Sequence, residues 1–178
     1  MSEIMIAGFG GQGILAAGVM LANAGLLAGL QTTWLPSYGA TMRGGTANCF
    51  VKIDSEEIGS PYIDEADFLL AFNEPSLLKF HGTVKKGGCI FANSSLIRKE
   101  VPRSDVNEFY VPATERAREL GDVRTANVFM LGVLFSKTAL LPYESAAASL
   151  EDYFSAKSEK VIELNKRVFR AGYEWKEG

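Results

Sequence analysis

The sequence predicts an α/β fold: a three-layer sandwich with a mainly parallel, Rossmann-like sheet and helices on both faces. Three observations lead to this fold class. Short apolar runs alternate with longer segments of helical periodicity, a glycine-rich turn joins the first run to the first helix, and the 178 residues suffice for one domain, residues 1–178. A chain of this length buries about 70% of the surface it exposes when unfolded, enough to cover a sheet on both sides.

Residues 4–7 form the apolar run of a central parallel strand, and a glycine-rich turn follows. Gly8, Gly10 and Gly13 match the pattern G-x-G-x-x-G, in which the backbone bends sharply and approaches a ligand or a neighbouring element closely. The first N–H groups of the next helix point outward with the positive end of the helix dipole, so a phosphate or carboxylate can bind there. On its own, this motif is weak evidence for a bound nucleotide.

The helix predicted at residues 14–28 is apolar on every side. Its one strongly polar residue is Asn23, and many of its other residues are alanine or glycine. Such a helix must be covered on two sides. We expect the sheet to cover one side and either another helix of this chain or a second subunit to cover the other.

A second strand is predicted at residues 31–35, ending at Pro36. An NAD-binding Rossmann unit carries an Asp or Glu near the end of this strand, about 20 residues after the glycines, to bind the ribose hydroxyls. The sequence has no acidic residue between Glu3 and Asp54. This absence disfavours NAD and leaves other phosphate-bearing ligands open.

The polar, glycine-bearing segment after this strand contains Arg43, the one charged residue in residues 4–51. Gly44 and Gly45 follow it. Because the segment follows a strand, we expect it to lie at the same edge of the sheet as the glycine turn, where the guanidinium can bind a phosphate or carboxylate in bidentate fashion. Structural pairing with a carboxylate of this chain or of a neighbouring chain is the alternative, and both stay open.

The rest of the chain alternates strands with helices and ends in helices. Asn73 is the predicted N-cap of a helix with Pro75 in its first turn, and the charged turn at residues 54–61 predicts a hairpin-like connection between the strands around it. Further strands are predicted at residues 47–53, 67–72, 89–92 and 109–111, and further helices at residues 112–121, 123–139, 143–154 and 157–175.

Composition excludes several classes of partner. Apolar residues make up 47% of the chain, charged residues make up 22%, and the net charge is −3, so no basic excess points to nucleic acid. Residues 4–30 are almost wholly apolar, but no Lys or Arg precedes Arg43, and the glycines of the turn would break a membrane-spanning helix. We therefore expect a cytoplasmic protein that does not enter the membrane.

The chemistry-bearing residues are few. The two cysteines, Cys49 and Cys89, are too few for an iron–sulfur cluster or a four-thiolate zinc site, and we interpret them as buried apolar thiols. The one histidine, His81, lies at a predicted helix end, and we interpret it as a surface residue. We expect no catalytic residue and no metal ligand on this chain.

Several short motifs lie along the chain, including the pieces Ser-Tyr-Gly and Arg-Gly-Gly-Thr, which a generic Rossmann protein does not need. In chain order they are residues 8–13, 36–39, 42–49, 112–114, 120–121, Asn127 and 131–132. Together these motifs resemble the gamma subunit of 2-oxoacid:ferredoxin oxidoreductases, and this version looks more like the 2-oxoglutarate or 2-oxoisovalerate enzymes than the pyruvate or indolepyruvate ones.

The resemblance implies a role in a larger reaction, in which a 2-oxoacid, coenzyme A and oxidised ferredoxin give an acyl-CoA, carbon dioxide and reduced ferredoxin. It implies alpha, beta and delta subunits as partners and ferredoxin as the electron acceptor. Thiamine diphosphate and [4Fe-4S] clusters would be bound by partner subunits, coenzyme A would be a co-substrate, and this chain would be inactive alone.

Our hypothesis is that the glycine turn and the Arg43 segment form one edge of the assembled active site or of the coenzyme A approach. Three alternatives stay open: a stand-alone nucleotide-binding Rossmann-like module, a homo-oligomeric binding module, and a gamma-type subunit acting on pyruvate or indolepyruvate. Self-association of the isolated chain as a homodimer also stays open. The expected ligand-binding residues are Gly8, Gly10, Gly11, Gln12, Gly13, Ser37, Tyr38, Arg43, Gly44 and Gly45.

Overall fold

The computed structural model describes residues 1–38 and 46–177. Six strands and six α-helices lie in these residues, with short 3₁₀ turns at His81–Thr83 and Val123–Thr125. The elements are β1 (Ser2–Phe9), α1 (Ile14–Leu27), β2 (Gln31–Tyr38), β3 (Thr46–Asp54), β4 (Ala66–Ala71), α2 (Glu74–Phe80), β5 (Val84–Asn93), β6 (Asn107–Val111), α3 (Ala113–Glu119), α4 (Ala126–Thr138), α5 (Tyr143–Phe154) and α6 (Glu159–Tyr173).

The six strands form one sheet in the order β2-β3-β1-β4-β5-β6. β1, β4, β5 and β6 are parallel, whereas β3 runs antiparallel to both of its neighbours, β1 and β2. The prediction of a mainly parallel α/β sheet is therefore confirmed. Because β3 runs antiparallel to β1, the amino end of β3 lies beside the glycine turn that follows β1.

Three local predictions are wrong. β2 continues past Pro36 to Tyr38, because β2 is an edge strand, where a residue without an N–H is tolerated. Residues 54–61 do not join a hairpin, because β1 lies between β3 and β4; the antiparallel hairpin is β2–β3. β5 begins at Val84 rather than near Cys89, with an irregular pairing against β4.

Both faces of the sheet carry a hydrophobic core, and the two cores differ in size. Ile4 and Ile6 of β1 face the larger core, which α1, α3, α4, α5 and α6 cover. Met5 and Ala7 face the smaller core, to which α2 contributes Leu77. Helices on both faces are thus confirmed, with most of the described helices on one side.

The apolar helix α1 is covered by helices of this chain. It lies between β2 and β3 on one side and α4 and α5 on the other, and the Ser149 hydroxyl of α5 donates a hydrogen bond to the Met20 carbonyl at 2.7 Å. Of the two possibilities expected for the second side of α1, coverage by helices of this chain is therefore the one that the structure shows. The last turn of α1 still leaves Leu26 and Leu27 56% and 52% exposed.

Helix α4 is held against α6 by close contact of the two backbones. Gly132 lies against the carbonyl oxygen of Phe169, and Gly172 lies against that of Phe129. A Cβ at either glycine would overlap with those oxygens, so the close approach depends on both glycines. This contact fixes α4, whose first turn carries Asn127.

Candidate functional site

The glycine turn, residues 8–13, connects the end of β1 to α1. The Gln12 N–H donates to the Phe9 carbonyl at 3.1 Å, which closes the turn. Gly11 has φ = 99° and Gly13 has φ = 72°, in the left-handed region that favours glycine. The turn therefore has the shape that the glycine pattern predicts.

The glycines serve different purposes within the turn. A Cβ at Gly8 would lie 2.7 Å from Gln12 Oε1, and one at Gly13 would lie 2.5 Å from Asn127 Nδ2, so both positions are closed by neighbouring side chains. A Cβ at Gly11 would meet nothing within 4 Å among the described residues, and Gly11 is exposed. Gly11 is thus the part of the turn that faces open space, and Gly10 lies beside it.

The Gln12 side chain folds back into the turn. Its Oε1 accepts hydrogen bonds from the Phe9 N–H at 2.6 Å and from Asn73 Nδ2 at 3.0 Å, and its Nε2 donates to the Phe72 carbonyl at 3.3 Å. The amide of Gln12 therefore joins the end of β1 to the end of β4.

The contact between Gln12 and Asn73 lies where the chain changes direction across the sheet. β1 is followed by α1 on one face, and the adjacent β4 is followed by α2 on the other. In open α/β sheets the crevice at such a point is the usual ligand site. Here the side-chain amides of Gln12 and Asn73 meet at this point.

Asn73 was predicted as a helix cap and not as a site residue. The capping prediction is confirmed, because Asn73 Oδ1 accepts a hydrogen bond from the Ser76 N–H at 2.9 Å. The link to Gln12 was missed. A helix cap directly after the strand beside β1 was the available signal, but the neighbour relation of β1 and β4 was not known from sequence.

A second asparagine holds the other side of the turn. Asn127, 5% exposed at the start of α4, donates from Nδ2 to the Gly13 carbonyl at 3.0 Å. Asn127 is one of the residues on which the family resemblance rests. The structure brings it into contact with the glycine turn, although the two are far apart in sequence. The turn is thus fixed by α4 and by the end of β4.

The carboxyl end of β2 and the amino end of β3 lie at the same edge of the sheet as the turn. Gly8 is in register with Ala47, which is in register with Tyr38, and Phe9 is in register with Thr46. Ser37, one residue earlier on β2, is exposed. Arg43, Gly44 and Gly45 lie outside the described residues.

The amino end of α1 is suited to bind an anion. Gly13 is its N-cap, and no described side chain caps the helix or contributes an acidic group to its first turn. The first N–H groups and the helix dipole therefore keep a partial positive charge that protein carboxylates do not neutralise there.

A cavity of about 230 Å3 lies next to the turn. Leu96 and Val123, 47% and 44% exposed, line it with Gly11 and Gln12. Arg124 also lines it, and its Nη2 lies 2.6 Å from Asp122 Oδ2, so this cation is already paired. The guanidinium holds the pKa of the Asp122 carboxyl below its usual range.

The cysteines lie on separate strands; Cys49 is buried as predicted, whereas Cys89 is only half-buried. Cys49 is on β3 and Cys89 is on β5, with β1 and β4 between them, a separation of roughly 14 Å at the usual strand spacing. Burial raises the pKa of Cys49 to about 12 and also raises that of Cys89. The pair cannot ligate one cluster, and within residues 1–38 and 46–177 no three His, Cys, Asp or Glu side chains cluster as a metal site.

Two further predictions concern His81 and the membrane. His81 directly follows α2 in a 3₁₀ turn, and its carbonyl accepts a hydrogen bond from Arg103 Nη1 at 3.0 Å, so the predicted helix-end position is confirmed. The side chain is half-buried with its Nδ1 atom buried, so the interpretation as a surface residue is wrong. Among the helices in the described part of the chain, none is long and apolar enough to span a bilayer.

The described residues form an α/β domain with a glycine turn at the carboxyl end of its first strand, and comparison with known proteins gives the family. Residues 3–175 match the family model described as pyruvate ferredoxin/flavodoxin oxidoreductase. The chain belongs to this family, and the resemblance inferred from the sequence motifs is confirmed.

Two curated relatives show how the match extends. The ketoisovalerate oxidoreductase subunit VorA of Methanothermobacter marburgensis is 42% identical over 97% of this chain, and the chain spans 36% of that relative's length. The 2-oxoglutarate synthase subunit KorC of Methanothermobacter thermautotrophicus is 33% identical over 97% of this chain and 93% of its own length.

Solved structures have the same fold. The gamma subunit of a keto/oxoacid ferredoxin oxidoreductase from Geobacter sulfurreducens is 29% identical with a TM-score of 0.84, over 98% of this chain and 97% of that one. A 2-oxoglutarate:ferredoxin oxidoreductase from Magnetococcus marinus, solved with 2-oxoglutarate, coenzyme A and succinyl-CoA, is 27% identical with a TM-score of 0.87, over 97% of this chain and 30% of that one.

Proposed function

We propose that residues 1–178 form a single gamma-type domain that acts as the gamma subunit of a 2-oxoacid:ferredoxin oxidoreductase. The complex would convert a 2-oxoacid, coenzyme A and oxidised ferredoxin into an acyl-CoA, carbon dioxide and reduced ferredoxin. The observation that carries the proposal is the match over nearly the full length of both chains to the separate Geobacter sulfurreducens gamma subunit.

We infer from the family resemblance which subunits would bind the cofactors. Alpha, beta and delta subunits would bind thiamine diphosphate and the [4Fe-4S] clusters, and ferredoxin would accept the electrons. Supporting this, Cys49 and Cys89 lie on strands too far apart to share a cluster, and burial keeps both thiols protonated.

Within the complex, the glycine turn and the Arg43 segment would form the edge of the coenzyme A approach. Coenzyme A carries phosphates, and the uncapped amino end of α1 behind Gly13 favours anions. Gly11 faces open space beside it, and Tyr38 and Thr46, which flank the Arg43 segment, lie at the same sheet edge. A guanidinium added to this edge would strengthen phosphate binding.

For the 2-oxoacid we propose 2-oxoisovalerate or 2-oxoglutarate. The higher identity to the ketoisovalerate subunit, 42% against 33%, favours the branched-chain acid. Another relative, 30% identical, is the gamma subunit common to the pyruvate and ketoisovalerate oxidoreductases of Pyrococcus furiosus. A subunit shared by two enzymes cannot determine which 2-oxoacid each enzyme accepts. We therefore place the substrate pocket on partner chains and keep pyruvate as the alternative substrate.

The proposal is tested by anaerobic purification of the tagged chain from its native host. Mass spectrometry of the co-purified chains, with an assay of coenzyme A-dependent viologen reduction by each 2-oxoacid, identifies partners and substrate together. We expect thiamine- and cluster-binding subunits and activity on a branched-chain 2-oxoacid or 2-oxoglutarate. Recovery of the chain alone, from cells in which such enzymes are active, would contradict the proposal.

The rival function, a stand-alone nucleotide-binding module, rests on the glycine pattern. The sequence has no acidic residue between Glu3 and Asp54 to bind ribose hydroxyls, which disfavours NAD. Calorimetric titration of the isolated chain with NAD, NADP and FAD decides the matter, and we expect no binding heat from any of them.

A further inference from the structure

The hydrogen bonds around Gln12 leave one consistent orientation for each amide. The Phe9 N–H is a donor, so Gln12 must present its oxygen to it, and the Ser76 N–H likewise requires the oxygen of Asn73. Asn73 Nδ2 therefore faces Gln12 Oε1, at 3.0 Å. Every donor in this chain of contacts meets an acceptor.

We propose that Asn73 is a positioning residue, whose side chain holds Gln12 inside the glycine turn and so fixes the shape of that turn. Asn73 is 4% exposed, and its two amide atoms act on different elements: Oδ1 caps α2, while Nδ2 reaches the turn. Asn73 does not reach a ligand itself; it acts through Gln12.

Only one half of the Asn73 side chain is needed for capping. Asp and Ser cap helices about as well as Asn, because the cap needs a side-chain oxygen near the second or third helical N–H. Neither residue supplies an N–H donor to Gln12. Asn73→Asp therefore separates the two contacts, since it preserves shape and cap and removes the donor.

In N73D, a carboxylate oxygen would face Gln12 Oε1. Gln12 then either leaves the turn or rotates its amide, and in both cases the Phe9 N–H loses its acceptor. The Ser76 N–H keeps its acceptor on residue 73. The backbone N–H of Phe9 thus reports on the positioning of Gln12, and the backbone N–H of Ser76 reports on the capping of α2.

The test is amide hydrogen exchange followed by NMR on the isolated full-length chain. We expect N73D to raise the exchange rate of the Phe9 amide roughly three- to tenfold, the range that one net hydrogen bond implies. Protection of Ser76 should be unchanged. Asn73→Ser carries the same test if N73D does not fold.

Asn165→Asp is the matched control. Asn165 is also 4% exposed, and it donates from Nδ2 to the Val161 carbonyl at 2.8 Å within α6, away from the turn. N165D should leave the ratio of Phe9 to Ser76 exchange as it is in the parent. If Phe9 exchanges no faster in N73D than in N165D, or if Phe9 and Ser76 accelerate together, the proposal is wrong.

A second readout tests the consequence, and this step rests on the proposed function of the turn. In the assembled complex, N73D should raise the KM for coenzyme A at least threefold and leave kcat unchanged. Faster Phe9 exchange with an unchanged KM would support Asn73 as the positioning residue and overturn the coenzyme A role of the turn. Unchanged Phe9 exchange overturns the positioning role whatever the kinetics.

Discussion

The amino edge of the sheet, where the parallel strands begin, and its carboxyl edge, where they end, are held together by different interactions. At the amino edge, Glu3 accepts contacts from Lys52 at 3.1 Å and Lys85 at 2.8 Å, and Lys85 also contacts Asp67 at 2.8 Å. At the carboxyl edge, neutral amides hold the glycine turn. The charged groups at the amino edge pair with one another, whereas the contacts described for the glycine turn are between uncharged groups.

This difference bears on function. A carboxylate at the turn would neutralise the positive end of α1, whereas uncharged amides do not. Gln12, Asn73 and Asn127 order the turn and leave the dipole of α1 unneutralised. A rigid edge that stays electropositive is what an anion-binding surface requires.

The largest expected effect lies at the amino edge. Glu3→Gln leaves Lys52, whose side chain is 9% exposed, without its buried counter-charge. We expect the free energy of unfolding to fall by about 3 kcal/mol, the size typical of breaking a buried ion pair from one side. Urea denaturation of the isolated chain measures it.

Glu174→Gln is the control for this variant. Glu174 pairs with Arg170 at 2.8 Å on the surface of α6, with side chains 61% and 71% exposed. Solvent screening should keep its effect below about 0.5 kcal/mol. Equal losses in the two variants would show that the amino-edge charges are not a structural network.

A smaller loss is expected at the carboxyl edge. Gly13→Ala places a Cβ at φ = 72° and against Asn127 Nδ2, so we expect a loss of about 2 kcal/mol, from backbone strain and the displaced hydrogen bond. Gly29→Ala, at φ = 79° with open space around it, isolates the strain at about 1 kcal/mol. A G13A loss no larger than that of G29A would mean that Asn127 does not hold the turn. Thermal unfolding compares the two.

The smallest effect is a pH dependence that belongs to the amino edge. Burial alone would raise the pKa of Glu3, but hydrogen bonds from Lys85 and Lys52 outweigh it and hold this pKa below the usual 4.5. The stabilisation is therefore complete above the unfolded-state pKa and is lost as pH falls through the folded-state pKa. Between about pH 5 and pH 3, E3Q should lose stability less steeply than the parent chain; parallel curves would contradict this.

Local sequence signals predicted the local parts of the fold. The helix predicted at residues 14–28 is α1, Ile14–Leu27, because glycines and an apolar run mark it, and Asn73 caps α2 as its residue type favours. The antiparallel insertion of β3 between β1 and β2 was not predictable, because strand order depends on long-range pairing. The same holds for Pro36, which is tolerated only because β2 lies at the edge.

The site was predicted in part for the same reason. The spacing of Gly8, Gly10 and Gly13 predicted the turn, but the partner of Gln12 is 61 residues away and the partner of Gly13 is 114 residues away. Neither contact can be predicted from the local pattern of apolar and polar residues. Asn127 was found through family resemblance, and Asn73 was found as a cap and missed as a support of the turn.

We propose that the carboxyl edge binds the anionic part of coenzyme A, and one negative charge added there tests this proposal. Gln12→Glu keeps the oxygen that accepts from Phe9 and Asn73, and it loses the donor of the 3.3 Å hydrogen bond to the Phe72 carbonyl. Gln31→Glu is the same change at the start of β2, at the amino edge, where Gln31 is in register with Asp54 and is exposed.

The measurement is the KM for coenzyme A of the assembled complex carrying either variant. We expect the KM to rise about tenfold or more for Q12E, from like-charge repulsion at an effective dielectric constant of about 20, and not to rise for Q31E. Equal KM values for Q12E, Q31E and the parent would contradict the claim that the glycine turn faces coenzyme A.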